Sequence, residues 1–183
     1  VKFLAWHQRY TAHDDPACAV ANLVAMVIAW NGPLYPLWII GFVGWNGWPS
    51  VFTIVAAPFF FAVPWLMRRS SGLGRFAIPV FGTANCLWST KLLGAETGVG
   101  LFLIPSLLMA ALLYRRTERW LLLPALALPF GAHFLPPSVF GPTLFPLAAA
   151  AAATLNGLNS ASVLALIFLL TWKWSGLLAR LDP

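Results

Sequence analysis

Leu144-Phe145-Pro146-Leu147-Ala148-Ala149-Ala150-Ala151-Ala152-Ala153 sets ten residues in a row without one charged or hydrogen-bonding side chain. A strand in a membrane barrel alternates apolar and polar positions, because one face meets lipid and the other the lumen. This run is apolar on every side, which a membrane helix tolerates because its backbone groups are satisfied within the segment. The stretch decides for an all-α fold that spans a membrane.

Working outward from it, the apolar segment extends over residues 143–172, and the same reading finds five more, over residues 16–44, 48–67, 76–93, 99–114 and 120–136. A helix needs about 20 mostly apolar residues to cross a hydrocarbon core of roughly 30 Å. The sequence thus predicts a single domain of six transmembrane helices over residues 1–183. Connections are short: Trp45-Asn46-Gly47, Arg68 to Arg75, and Arg115 to Arg119. The sixth segment, at about 1.5 Å per residue, is roughly 43 Å long and must tilt or project from the bilayer.

Composition supports this. The chain of 183 residues is 60% hydrophobic and only 9% charged, with a mean hydropathy of +0.80. So few charges cannot cover a water-soluble surface, and so apolar a chain is not disordered. Of the eleven Lys and Arg residues, Lys2, Arg9, Arg68, Arg69, Arg75, Arg115, Arg116, Arg119, Lys173 and Arg180 fall on one face and Lys91 alone on the other. The positive-inside rule places both termini in the cytoplasm of a bacterial inner membrane, as an even number of spans requires. The net charge of +6 reports topology, with basic loops beside anionic headgroups and no nucleic-acid partner. Trp38, Trp45, Trp48 and Trp88 form an outer interfacial belt, and Trp6, Trp65, Trp120, Trp172 and Trp174 an inner one, with Trp30 near a span centre.

Residues 1–13 lack the apolar core of a signal peptide and set Phe3, Trp6 and Tyr10 on one helical face, which reads as an interfacial helix lying on the cytoplasmic surface. Asp15 is the expected N-cap of the first span and Pro16 its first helical residue. Cys18 and Cys86 fall inside spans, without metal-site spacing or an expected disulfide.

Every span contains proline, and each interior proline frees a carbonyl that must face protein, water or a ligand. Asn31-Gly32-Pro33 is the sharpest case, an amide beside an expected break in the first helix. Asn85 and Ser89 share a face of the third span, and Asn156, Asn159 and Ser160 a face of the sixth. Such amides serve either as glue between helices or as the walls of a shared polar centre. Lys91 and Glu96, the charges on the outer side, either pair with each other or line an entrance for a polar ligand. His133, in the outer half of the fifth span, has no second ligand at i+3 or i+4. Ala17, Ala21, Ala25 and Ala29 form a small-residue stripe that marks close packing against a helix of this chain or of a partner.

Catalytic patterns are missing: no Gly-x-Ser-x-Gly, no His-Glu-x-x-His, no phosphate-binding glycine loop and no paired intramembrane carboxylates. A non-catalytic protein without cofactor or metal is expected. The six-span plan, the short basic N-terminal helix and the turn after Asn31-Gly32-Pro33-Leu34-Tyr35-Pro36-Leu37-Trp38 resemble the six-helix sensory domains of bacterial histidine kinases and class III adenylyl cyclases. The stretch from Gly98 to Trp120, closed by Arg115-Arg116-Thr117-Glu118-Arg119, is similar in style to the fourth span of the cyclase domains. That resemblance implies a sensory or anchoring domain in signal transduction, with its output module beyond Pro183 or in another chain. Two other readings stand beside it. One is an accessory or assembly subunit of a photosynthetic or respiratory membrane complex. The other is a substrate-binding transport subunit like the six-helix vitamin-capturing components of energy-coupling transporters, which the alanine stripe would dock. The bilayer and either further membrane subunits or a cytoplasmic module are the expected partners.

Overall fold

The computed structural model describes residues 2–114 and 118–179. Arg115, Arg116 and Arg180, counted above among the basic residues, lie outside the described residues, as do Val1, Thr117 and residues 181–183. Among the described residues there are seven α-helices and no strand. α1 covers Lys2–Thr11 and α2 Pro16–Val43. A 3₁₀ stretch over Trp45–Ala56 runs into α3, Ala57–Arg69, and α4 follows over Ser71–Leu93. Short 3₁₀ turns at Ala95–Thr97 and Val99–Phe102 lead into α5, Leu103–Leu113. α6 is Arg119–His133 and, after a 3₁₀ turn at Pro137–Phe140, α7 is Ala149–Leu178. Three helical segments, Pro16–Val43, Trp45–Arg69 and Ala149–Leu177, are long and apolar enough to cross a membrane; Val99–Leu113 is apolar but shorter.

The ends of these helices follow from their residues. The Asp15 carboxylate accepts from the Ala17 N–H at 2.8 Å, with Pro16 in the first turn, as the sequence predicts. α2 and α4 stop at Gly44 and Gly94, whose φ of 75° and 99° only glycine adopts without strain. The expected break at Asn31-Gly32-Pro33 is absent: α2 is one helix, with Pro33 and Pro36 inside it. Packing holds it together there, since a Cβ on Gly32 would lie 2.9 Å from that of Ala57 on α3.

Between Trp45 and Ala56 the chain keeps three residues per turn for twelve residues, where most 3₁₀ runs stop after three or four. Gly47, Ser50, Thr53 and Ala56 recur every third residue and so line up on one side; the first three are buried. Gly47 nestles against Ile39 and Val43 of α2, and a Cβ there would come within 2.5 Å of Ile39. The Ser50 and Thr53 hydroxyls donate back to the Gly47 and Ser50 carbonyls, both at 2.7 Å, adding side-chain bonds of the same three-residue pitch. Residues 45–47, read from sequence as a connection, are the first turn of this helix.

Two further elements depart from expectation. α7 begins at Ala149 and not at Thr143, because Phe145 precedes Pro146 and is biased away from helical backbone. Residues 144 and 145 instead donate their N–H groups to the Lys91 and Leu92 carbonyls, both at 3.0 Å, capping the end of α4. At its other end α7 runs past Trp172 to Leu178. The second departure is α1. Asn22 Nδ2 donates to the Thr11 carbonyl at 3.2 Å, while the Phe3 ring meets Trp30, eight residues farther along α2, at 5.5 Å. The two helices are therefore antiparallel, and α1 folds back along α2 instead of lying apart on a surface. Tyr10 Oη donates to the Phe61 carbonyl at 2.8 Å, and the Arg68 guanidinium donates to the Tyr10 carbonyl and covers the Tyr10 ring.

α4 is the centre of the bundle and touches α3, α5 and α6, while α2 packs against α3 and α7. Buried apolar side chains fall into two groups. The larger, toward the end that carries Arg68, Arg69, Arg75 and Arg119, contains Ala21, Ala25, Phe60, Met67, Met109 and Leu170. The smaller, toward Gly44 and Gly94, contains Ile39, Leu92, Leu93 and Leu155. The outer surface stays apolar: Trp38, Trp45, Trp65, Trp120, Phe168 and Trp172 are all exposed. A soluble protein rarely shows contiguous apolar surface on this scale.

Candidate functional site

Between the two apolar clusters lies a cavity of about 350 Å³, walled by α2, the 3₁₀ stretch with α3, α4, the Val99–Phe102 turn with α5, and α7. Asn31 and Tyr35, four apart on α2, share one helical face and reach it together. Asn85 and Ser89 do the same from α4, and Thr53 comes from the small-residue row of the 3₁₀ helix. Three of the residues singled out from sequence, Asn31, Asn85 and Ser89, therefore converge on one space. The Asn85 Oδ1 is buried and meets no hydrogen-bond donor among the described residues, a costly state for an amide. Val27, Asn31 and Ala165 are exposed members of the wall, so the cavity opens sideways between α2 and α7.

Its lining mixes polar and apolar side chains: Tyr35, Thr53 and Ser89 stand toward Gly44 and Gly94 together with Val99 and Phe102, and Val27, Ile28, Phe60 and Leu169 toward the basic end. Among the described residues, no charged side chain lines it.

The amides of α7 do different work. Asn159 is fully buried, donates to the Thr97 carbonyl at 2.8 Å and accepts from Tyr35 Oη at 3.0 Å. Asn156 donates to the Glu96 carbonyl at 3.1 Å and accepts from Ser160 Oγ at 3.3 Å. The two amides thus hold the Ala95–Thr97 turn, whose carbonyls a glycine-flanked loop would otherwise leave unpaired. Asn156 and Glu96 face a separate hollow formed with Ala149 and Ala152. Lys91 Nζ donates to the Pro142 carbonyl at 2.6 Å, binding the segment before α7 to the end of α4. His133 is exposed at the last residue of α6, edge-on to the Phe134 ring at 5.3 Å. Ala21, Ala25 and Ala29 are fully buried in the larger apolar cluster and Ala17 is partly buried, so the stripe packs inside this chain.

Sequence reasoning missed the ion pair at the basic end. Arg75 Nη1 and Nη2 grip the two Glu118 oxygens at 2.9 and 2.6 Å. Nη1 also donates to the Leu113 carbonyl at 3.0 Å, and the guanidinium lies over the Tyr114 ring at 5.1 Å. The Glu118 hydrogen bonds hold the Arg75 pKa above its ordinary value against the opposing effect of burial. One guanidinium thereby joins α4 to the end of α5 and the start of α6. The signal was Glu118 itself, the one acid inside the basic stretch from Arg115 to Arg119. The cavity's Tyr35, Thr53, Ser106 and Ser162 were missed too. Tyr35 was legible from its i+4 spacing to Asn31, and Thr53 from the row of small residues.

Comparison with protein families, with functionally described proteins and with solved structures yields no match.

Proposed function

We propose that the chain is a six-span membrane domain, with both termini cytoplasmic, that senses or anchors by taking a small apolar or amphipathic molecule from the bilayer into the lateral cavity. The observation that carries this reading is the convergence of Asn31, Asn85 and Ser89 from two helices on one lateral cavity whose other walls are largely apolar. An opening between α2 and α7 suits a ligand dissolved in lipid, which reaches the site without entering water. α7 both lines the cavity and continues for about 14 Å beyond Leu169, so a ligand that shifts α7 moves the end nearest any cytoplasmic partner. The transmembrane count rests on three long apolar segments together with α4, α5 and α6.

Native mass spectrometry of the protein extracted in lipid nanodiscs tests this. The expected result is a bound small amphiphile in the wild type, lost on Asn85→Leu while the helical content is unchanged. Equal occupancy in the variant, or an empty wild-type cavity, overturns the reading.

A second reading, an accessory subunit of a larger membrane complex, is favoured by the outward side of α7, where Gly157, Ala161, Leu164 and Phe168 are exposed. Stoichiometric co-purification with other membrane subunits is its test. The transport reading loses the feature it rested on, because the alanine stripe is spent on internal packing.

A further inference from the structure

The polar side chains around the cavity fall into two groups. Tyr35, Thr53, Ser106 and Ser162 donate their hydroxyl hydrogens to Asn159 Oδ1 and to the Ser50, Phe102 and Leu158 carbonyls, so each already holds a partner. Asn31, Asn85 and Ser89 make no side-chain hydrogen bond with any described residue. For two of these three the geometry fixes what they offer. The Asn85 Oδ1 has no accessible surface, whereas its Nδ2 is not closed off, so the amide turns its N–H₂ edge to the space it lines. Ser89 is 2% exposed, and the surface its Oγ keeps faces the same space. Four residues apart on α4, the two side chains leave the helix about 5–6 Å from each other, so both can aim a hydrogen at one acceptor atom. A buried N–H₂ and a buried O–H without an acceptor are costly until one is supplied.

Resting on the reading of the cavity as a ligand site, we propose that its ligand is a neutral, lipid-soluble carbonyl compound whose oxygen accepts from Asn85 Nδ2 and Ser89 Oγ together. A carbonyl oxygen carries two lone pairs and takes both donors at once. The Asn31 amide, at the opening, serves a donor or an acceptor and sets no further requirement. A carboxylate would accept as well, but among the described residues no cation lines the cavity to offset its desolvation. The remainder of the molecule lies against the apolar walls, which Val27 and Phe60 supply from one end and Val99 and Phe102 from the other.

The test compares methyl nonyl ketone, its alkene isostere, in which C=CH₂ replaces C=O and nothing else changes, and decanoate, by saturable retention on protein-containing phosphatidylcholine nanodiscs over empty ones. The isostere keeps the shape and loses the acceptor. The expected result is that the ketone binds about three- to tenfold more tightly than the isostere, the range of one or two net hydrogen bonds, and more tightly than decanoate. Ser89→Ala and Asn85→Leu should each lower the ratio of ketone to isostere, and retention of the isostere on the same variants reports that the cavity has formed. Equal binding of ketone and isostere by the unaltered protein overturns the carbonyl requirement while leaving the cavity a binding site. A ratio that neither variant lowers overturns the assignment to Asn85 and Ser89. Preference for decanoate overturns the neutral ligand. Retention no greater than on empty discs for all three overturns both this proposal and the ligand-site reading beneath it.

Discussion

The Tyr35 hydroxyl donates to Asn159 Oδ1 at 3.0 Å and ties α2 to α7 at the end of the cavity toward Gly44. The two residues are 124 positions apart, yet this bond joins the two helices between which the cavity opens. Tyr35→Phe removes the donor and leaves Asn159 Oδ1 without it in a fully buried site. A loss of about 1–3 kcal/mol is expected, the usual cost of an orphaned buried acceptor. Spin labels on the outer faces of α2 and α7 should report a broader distance distribution in the variant. An unchanged distribution and unchanged thermal midpoint would show that the bond does not hold the helices together.

Gly82 and Ser106 give a sharper test of packing across α4 and α5. A Cβ on Gly82 would lie 2.5 Å from Ser106 Oγ and 3.5 Å from its Cβ, so the obstruction is the hydroxyl alone. Gly82→Ala should therefore destabilise by about 1–3 kcal/mol, as overpacking does. Ser106→Ala should cost little, since its hydroxyl bonds only to its own helix at the Phe102 carbonyl. The double variant should recover most of the loss, giving a strongly non-additive cycle in detergent unfolding. Additive losses would mean that α4 and α5 do not approach as described.

How much of this was legible follows from which residues interact locally. The helical class, the Asp15 cap and the starts of α2 and α6 are set by neighbours a few residues apart, and sequence exposes them. Asn31, Asn85 and Ser89 could be picked out because a polar side chain in an apolar segment must face inward. Their meeting in one cavity depends on how α2 and α4 are rotated about the α3 that lies against both, with Gly32 seated on Ala57 of α3, and no local pattern encodes it. The α7 amides illustrate the converse. Asn156 and Asn159 look like site residues in sequence, but the carbonyls of a turn some 60 residues away claim them. The period-three row Gly47, Ser50, Thr53, Ala56 was readable and unread, because a helix was assumed to turn every 3.6 residues.

The clamp at the basic end yields a prediction on stability. The Arg75 and Glu118 side chains are 11% and 27% exposed, between the surface and buried limits for an ion pair. Glu118→Gln should cost about 2 kcal/mol, since it removes the negative charge and one of the two oxygens that accept from the buried Arg75 guanidinium. Arg75→Gln should cost at least as much, and the double variant little more than either alone. Thermal unfolding at moderate and high salt decides it: a pair worth this much loses little to screening, whereas an exposed one would fade.

The position of α1 makes the last prediction. Phe3 touches Trp30, which stands 14 residues beyond Pro16 and so about 21 Å along α2. Trp30 in turn meets Phe61 of α3 edge-on at 5.1 Å, so the two larger helices supply an aromatic shelf for α1. An amphipathic helix resting at the headgroups would keep its Phe3 level with its Tyr10. Here Tyr10 bonds to Phe61 and Arg68 while Phe3 reaches farther along α2. In the proposed orientation this carries Phe3 below the interface. A nitroxide at Phe3→Cys should then be relaxed more by dissolved oxygen than by a water-soluble nickel chelate, and one at residue 12, at the turn, should show the reverse. Cys18 and Cys86 are buried and should not take the label. Trp30→Ala should move the residue 3 label toward the nickel-accessible range by removing its shelf. Equal nickel accessibility at positions 3 and 12 in the unaltered background would place α1 flat on the surface and sever it from the core of the bundle.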